Sequence, residues 1–120
     1  MKKIIEKVLA ETPDSFKIDG KMLRYKVGEE TVAIHMNLLA EKCFDYCLEY
    51  GLELEIFKSR VDELWTVKIN EYEAIENGNY IEWEFAYVLR DLIESTDFCD
   101  CVFKATKICI EYIENSYENV

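Results

Sequence analysis

Hydrophobic and polar positions follow two patterns along this chain, one with the period of a helix and one with the period of a strand. Near the N-terminus, apolar side chains recur every three or four residues between Lys and Glu, which predicts a short amphipathic helix over 2–11. The next stretch, FKIDGKMLRYKV, alternates on either side of an Asp-Gly pair, the strongest short signal for a hairpin. Together with TVAIHM, it predicts a three-stranded antiparallel meander over 16–35.

The middle of the chain changes period twice more. A helix is predicted over 37–50, because Asn37 can cap its start and Gly51 can end it. The two segments after it, LELEIFKS and LWTVKIN, alternate again between apolar and polar residues. They predict a second hairpin over 52–70.

Two helices are predicted in the C-terminal part. The first, near 80–95, would begin at Asn79, with Glu82 three residues later, and would carry one apolar stripe. This stripe comprises Ile81, Phe85, Val88, Leu89 and Leu92. The second, over 98–117, is apolar on two faces, which is typical of a helix sandwiched in a core or placed at an interface.

The predicted order of elements is therefore α-β-β-β-α-β-β-α-α, without the β-α-β alternation of parallel sheets. This order indicates an α+β fold in which an antiparallel sheet of about five strands packs with helices. Half of the 120 residues are apolar, which is enough for one core, and we expect residues 1–120 to form a single compact domain.

Charge is the strongest global feature. The chain has 14 Lys and Arg against 25 Asp and Glu, a net charge of −11. Residues 71–100 hold nine acidic side chains and a single basic one, Arg90. Such a surface repels phosphate, so we expect no direct binding to nucleic acid and none to a membrane. It would attract a basic protein surface, although the same charge can serve solubility alone.

The five cysteines are the main candidates for metal or redox chemistry. Charged residues interrupt the apolar N-terminal segment, which argues against a signal peptide, so a cytoplasmic location with reduced thiols is expected. Cys43 and Cys47 lie one helical turn apart, and Cys99 and Cys101 form a Cys-x-Cys pair. With His35, these cysteines could supply soft ligands, but neither spacing is the Cys-x-x-Cys of a zinc knuckle. No metal or other cofactor is therefore predicted.

Catalytic constellations are equally sparse. A reactive thiol at Cys99 or Cys101 would be close to a helix N-terminus, but Asp97 and Asp100 beside it would raise its pKa. The only histidine that could serve as a base is His35. The many carboxylates resemble a solvated acidic face more than a paired acid and base in one cleft. The chain is therefore predicted not to be an enzyme.

Aromatic side chains interleave with the acids just after residue 70. Trp83 and Tyr87 would lie one turn apart on the predicted helix, away from its apolar stripe. Exposed aromatics ringed by acids suit an anchor for a basic partner, whereas in the alternative interpretation both rings pack under the last helix. The predicted partner-binding residues are Glu71, Glu73, Glu76, Glu82, Trp83, Glu84 and Tyr87.

In general character, the chain resembles the small acidic proteins of phages and mobile elements. That group includes anti-CRISPR and anti-restriction inhibitors, some of which act as nucleic-acid mimics; the resemblance rests on composition and on no motif. It implies an inhibitor that occupies a basic site on a nucleic-acid-handling protein. Two alternatives remain: a homo-oligomer that associates through the outward side of its last helix (Phe103, Ile110 and Tyr117), and a metal-dependent enzyme.

Overall fold

A computed structural model describes residues 1–78, 80–87 and 93–117, with all side chains in these ranges except those of 72–77, 80–87 and 117. The elements are α1 (Lys2–Val8), β1 (Ser15–Asp19), β2 (Met22–Val27), β3 (Glu30–His35), α2 (Met36–Glu49), β4 (Leu52–Lys58), β5 (Trp65–Asn77), β6 (Tyr80–Tyr87), β7 (Ile93–Ser95) and α3 (Phe98–Tyr117). The α+β class with antiparallel pairing is confirmed. No helix in the described ranges has both the length and the apolar composition needed to cross a membrane.

The first sheet is the predicted meander, in the order β1-β2-β3. Asp19 is opposite Met22, so the turn between β1 and β2 consists of Gly20 and Lys21. Gly20 has a φ of +62°, a left-handed value that two-residue hairpin turns require and that glycine adopts without strain. The Asp-Gly signal in the sequence therefore marks this turn correctly.

The second sheet is built around β5, which is 13 residues long. It pairs with β4 from Trp65 to Glu71, and with β6 from Asn70 to Asn77. The short strand β7 adds to β5 at its opposite end. Beyond Glu71, β6 is therefore the only described strand that pairs with β5, and the sheet continues there as a two-stranded ribbon.

Two sequence predictions about this region are wrong. The strands do not form one five-stranded sheet, because the second sheet has its own order, β4-β5-β6, with β7 also on β5. The helix predicted near 80–95 is strand β6 over 80–87 and strand β7 over 93–95, and its remaining residues, 88–92, lie outside the described ranges. A spacing of four residues fits a helical stripe, but it is also even and therefore fits the alternation of a strand.

The long helix α3 lies inside the core and contacts α1, α2 and the second sheet. Its residues Cys101, Val102, Ala105, Thr106, Cys109 and Ile110 are almost completely buried. Phe103 is 8% exposed and Ile110 is 0% exposed, so the prediction that these residues face outward is wrong. Of the predicted oligomer interface, only Tyr117 is left, and its side chain lies outside the described set. The two apolar faces of α3 are therefore both used within one chain.

Candidate functional site

The seven predicted partner-binding residues all lie on one hairpin formed by β5 and β6. We call residues 71–87 the acidic hairpin, of which the structure describes 71–78 and 80–87. This segment contains five glutamates, no lysine and no arginine. The fold thus brings residues from both ends of the predicted set onto two neighbouring strands.

The strand register fixes how these positions pair. Glu73 is directly opposite Glu84, and Trp83 is opposite Ala74. Trp83 and Tyr87 are not one helical turn apart, because four residues of a strand span on the order of 13 Å. The side chains of six predicted residues (Glu73, Glu76, Glu82, Trp83, Glu84 and Tyr87) lie outside the described set, so their positions are those of the backbone.

Glu71 is the predicted site residue whose side chain is described, and it lies at the base of the acidic hairpin. Its Oε2 accepts a hydrogen bond from the hydroxyl of Tyr112 on α3. Next to it, the 2% exposed Asn70 donates from Nδ2 to Glu55 Oε2 at 3.1 Å. These contacts tie the base of the hairpin to α3 and β4, so Glu71 has a structural role in addition to its charge.

A second candidate site, which the sequence does not predict, is a cavity of about 550 Å³. It lies where the β1–β2 turn, the start of α2 and the first half of α3 come together, with Met1 and Ile4 of the N-terminal segment on one side. No local motif marks it, because the residues that form it are spread from position 1 to position 107. We call it the donor-lined cavity, for the polar groups described next.

Three polar side chains of this cavity form a connected set. His35, rather than the predicted Asn37, caps α2: its Nδ1 accepts from the backbone N–H of Asn37 at 3.1 Å. The side chain of Asn37 is therefore available, and its Oδ1 accepts from the Cys99 thiol at 3.2 Å. Histidine, asparagine and cysteine are the residue types of thiol nucleophile sites, so the reactivity of this thiol decides what the set can do.

The environment of Cys99 disfavours catalysis. Burial, followed by the charge of Asp97, raises the pKa of the Cys99 thiol. The hydrogen bond that it donates goes to an amide oxygen, which cannot remove a proton. A nucleophilic cysteine needs a lowered pKa and a base within reach, and this thiol has its pKa shifted in the opposite direction.

The Cys-x-Cys segment is a helix start. Asp97 Oδ2 accepts from the backbone N–H of Asp100 at 2.8 Å, which caps α3. Asp100 accepts from the Ser95 hydroxyl at 2.7 Å and pairs with Lys104 at 3.0 Å, and these contacts lower its pKa. Cys101 is fully buried, and its thiol donates to the Trp65 carbonyl at 3.4 Å.

The other cysteines are packing residues of the helix pair α2 and α3. Burial raises the pKa of Cys43 to about 12. A hydrogen bond with Cys109, together with burial, raises the pKa of Cys47 far above its usual range. Among the residues whose side chains are described, no three His, Cys, Asp or Glu are close enough together to hold a metal ion.

Comparison with protein-family models, with curated proteins and with solved structures finds no significant match for this chain. Proposals about its function therefore rest on the two sites described above.

Proposed function

We propose that this protein is a non-enzymatic inhibitor that uses its acidic hairpin to occupy a basic surface on a protein partner. The observation that carries the proposal is the register of Glu73 opposite Glu84, in a segment with five acids and no base. Like charges directly opposite each other on paired strands destabilise an isolated hairpin. A cationic partner would remove this cost, so the charge pattern favours the bound state.

The chemistry of the acidic hairpin indicates the kind of surface that it would fit. Clefts that handle nucleic acid carry lysine and arginine for phosphate. A row of carboxylates can take the place of phosphates there, and Trp83 and Tyr87 would supply aromatic anchors. We expect the complex to weaken as salt rises, because screening acts on complementary charges.

The partner class that fits best is a nucleic-acid-handling enzyme of the kind that phage proteins inhibit. Anti-CRISPR and anti-restriction inhibitors are the corresponding functional types, and the acidic composition of the chain supports this assignment. The alternative of a homo-oligomer through α3 has less support, because Phe103 and Ile110 are buried within one chain. The alternative of an enzyme has less support because the pKa of Cys99 is raised.

The test is affinity capture from cells of the organism that carries this gene, followed by competition with nucleic acid. Wild-type protein is compared with the variant E73Q/E76Q/E82Q/E84Q, which removes four charges from the acidic hairpin. The matched control is E29Q/E30Q/E41Q/E49Q, which removes four charges from exposed positions elsewhere. Both variants therefore have the same net charge.

We expect the wild type and the control to capture one basic partner and to displace labelled DNA or RNA from it. The hairpin variant should lose capture, and raising the salt concentration should release the wild-type complex. Capture that is equally strong with the hairpin variant would contradict the proposal. The proposal would also be contradicted if the captured partner still bound its nucleic acid in the presence of the wild-type protein.

A further inference from the structure

The donor-lined cavity has the size and mixed chemistry of a small-molecule site. Its volume of about 550 Å³ is within the range of pockets that bind small ligands, which are mostly apolar with a few converging polar groups. Its apolar part includes Phe103 and the fully buried Ile4 from the core, and also Ile18 from β1.

Ile18 is an apolar side chain that the protein leaves uncovered. It is opposite the fully buried Leu23 in the strand register, yet it is 49% exposed. The core-facing side of the first sheet thus continues into the cavity at β1. A ligand with an apolar body would cover Ile18 and gain the free energy of removing that surface from water.

The lysines at the cavity are cationic groups in a chain whose net charge is −11. Lys21, Lys104 and Lys107 all line it. Lys104 is paired with Asp100 at 3.0 Å. Neither Lys21 nor Lys107 lies within salt-bridge distance of a carboxylate in the described part of the chain. Lys21 and Lys107 are therefore the cavity lysines that form no salt bridge in the described part of the chain. Lys107 also lies near Asp100 and near the Met1 amino group, whose pKa is lowered by burial and by Lys107.

The uncharged polar groups of the cavity also present donors. Because His35 Nδ1 accepts a hydrogen bond, the N–H group that the ring can offer is at Nε2. Because Asn37 Oδ1 accepts from Cys99, the amide group that is left is the Nδ2 donor. The two carboxylates at the cavity, Asp97 and Asp100, already accept hydrogen bonds at the start of α3.

We propose that the donor-lined cavity binds a small organic anion, a phosphate or carboxylate attached to an apolar body. The anionic group is held by Lys21 and Lys107, with His35 and Asn37 as further donors. The apolar body rests on Ile18 and Phe103. This site is separate from the acidic hairpin and would function whether or not the hairpin binds a partner.

The test is a nuclear magnetic resonance titration of the ¹⁵N-labelled protein with four probes. Phenyl phosphate and benzoate combine an anion with a ring, whereas inorganic phosphate and phenol each supply one part. We expect phenyl phosphate or benzoate to shift the amide signals of Lys21, His35 and Cys99, and to bind about tenfold or more tightly than either single-part probe. Tighter binding of phenyl phosphate than of benzoate identifies a phosphate ligand, and the reverse order identifies a carboxylate ligand.

Two double variants separate this site from general charge effects. K21Q/K107Q should weaken binding of the two-part probe by about tenfold or more. K26Q/K42Q removes the same charge from exposed positions outside the cavity and should leave binding unchanged. Equal weakening of probe binding by both variants would overturn the proposal. So would a titration in which none of the four probes shifts any amide signal at millimolar concentration.

Discussion

The acidic hairpin and the donor-lined cavity have opposite electrostatic characters on the same small chain. The hairpin is continuous in sequence, with five acids and no base. The cavity gathers Lys21, Lys104 and Lys107 from β-turn and helix positions that are far apart in sequence. The net charge of −11 describes the first region and conceals the second. A partner inferred from net charge therefore applies to one surface only.

The two regions also differ in how they depend on the hydrophobic core. One wall of the cavity is α3, whose Phe103 and Ile110 are buried. In the hairpin beyond Glu71, the two strands β5 and β6 pair only with each other among the described strands. A change in the core should therefore disrupt the cavity, and a change in the outer hairpin should leave the fold intact.

The largest effect is expected for Ile110→Ala in α3. Because Ile110 is 0% exposed, the truncation leaves a cavity in the core and should lower the free energy of unfolding by about 2–5 kcal/mol. Urea denaturation measures this change. The matched control is Leu48→Ala on α2, where the side chain is 55% exposed and the expected change is within about 0.5 kcal/mol.

The same measurement decides between a core residue and an interface residue. If Ile110 served an oligomer interface, its replacement would change the sedimentation coefficient and make stability depend on protein concentration. We expect a stability loss that does not depend on concentration. A loss as small as that of Leu48→Ala would contradict the buried position of α3.

Much of this fold could be predicted from local patterns. The meander 16–35 and the helix 98–117 follow from the Asp-Gly turn and from the long apolar periodicity, and both are confirmed. The segment IEWEF over 81–85 alternates as a strand does, but Ile81 and Phe85 are also four residues apart, a spacing shared by both periods, so the pattern alone does not separate strand β6 from a helix. The signal that favours a hairpin is Asn77-Gly78, because Gly78 lies in the turn after Asn77 with a φ of +67°.

The cavity could not be predicted in the same way. Its donor character depends on which polar atoms already form hydrogen bonds, and the tertiary structure decides this. His35 caps α2 through Nδ1, and Asn37 accepts a hydrogen bond from Cys99, 62 residues away in sequence. From sequence alone, His35 and Cys99 are candidates for a catalytic or metal site or structural residues, and nothing places them at one cavity. The acidic hairpin is easier to predict from the sequence, because its charged and aromatic residues are close together along the chain.

A smaller effect is expected at the opposed pair of the acidic hairpin. Replacing Glu84 by Lys places a positive charge opposite Glu73, which should stabilise the protein by about 0.2–1 kcal/mol at low salt. The gain should shrink in 1 M salt, because the charges are screened over a few ångströms. Urea denaturation at both salt concentrations measures it.

Two variants identify the source of this gain. Glu29→Lys changes the net charge by the same amount at an exposed turn, so any gain that it shares with Glu84→Lys comes from reduced overall repulsion. Adding Glu73→Lys to Glu84→Lys restores a like-charged pair and should cancel the specific part. A double variant that exceeds Glu84→Lys by the full gain of Glu29→Lys would show that the two positions do not interact.

The last prediction concerns alkylation of the native protein, for which we expect no effect on stability. It tests the cavity through the Cys99 thiol. Cys99 is partly exposed and the other four cysteines are buried, so mass spectrometry should find one iodoacetamide label per chain, at Cys99. Burial and Asp97 raise the pKa of this thiol. Its thiolate is therefore scarce at pH 7, and labelling should accelerate steadily up to and beyond pH 9.

Asp97→Asn removes the charge beside Cys99 and should speed labelling at pH 8. Glu111→Gln, which removes an exposed acid further along α3, should not. Fast labelling at pH 6 would mean that Cys99 is an activated nucleophile, and the cavity would then be a reactive site instead of a binding site.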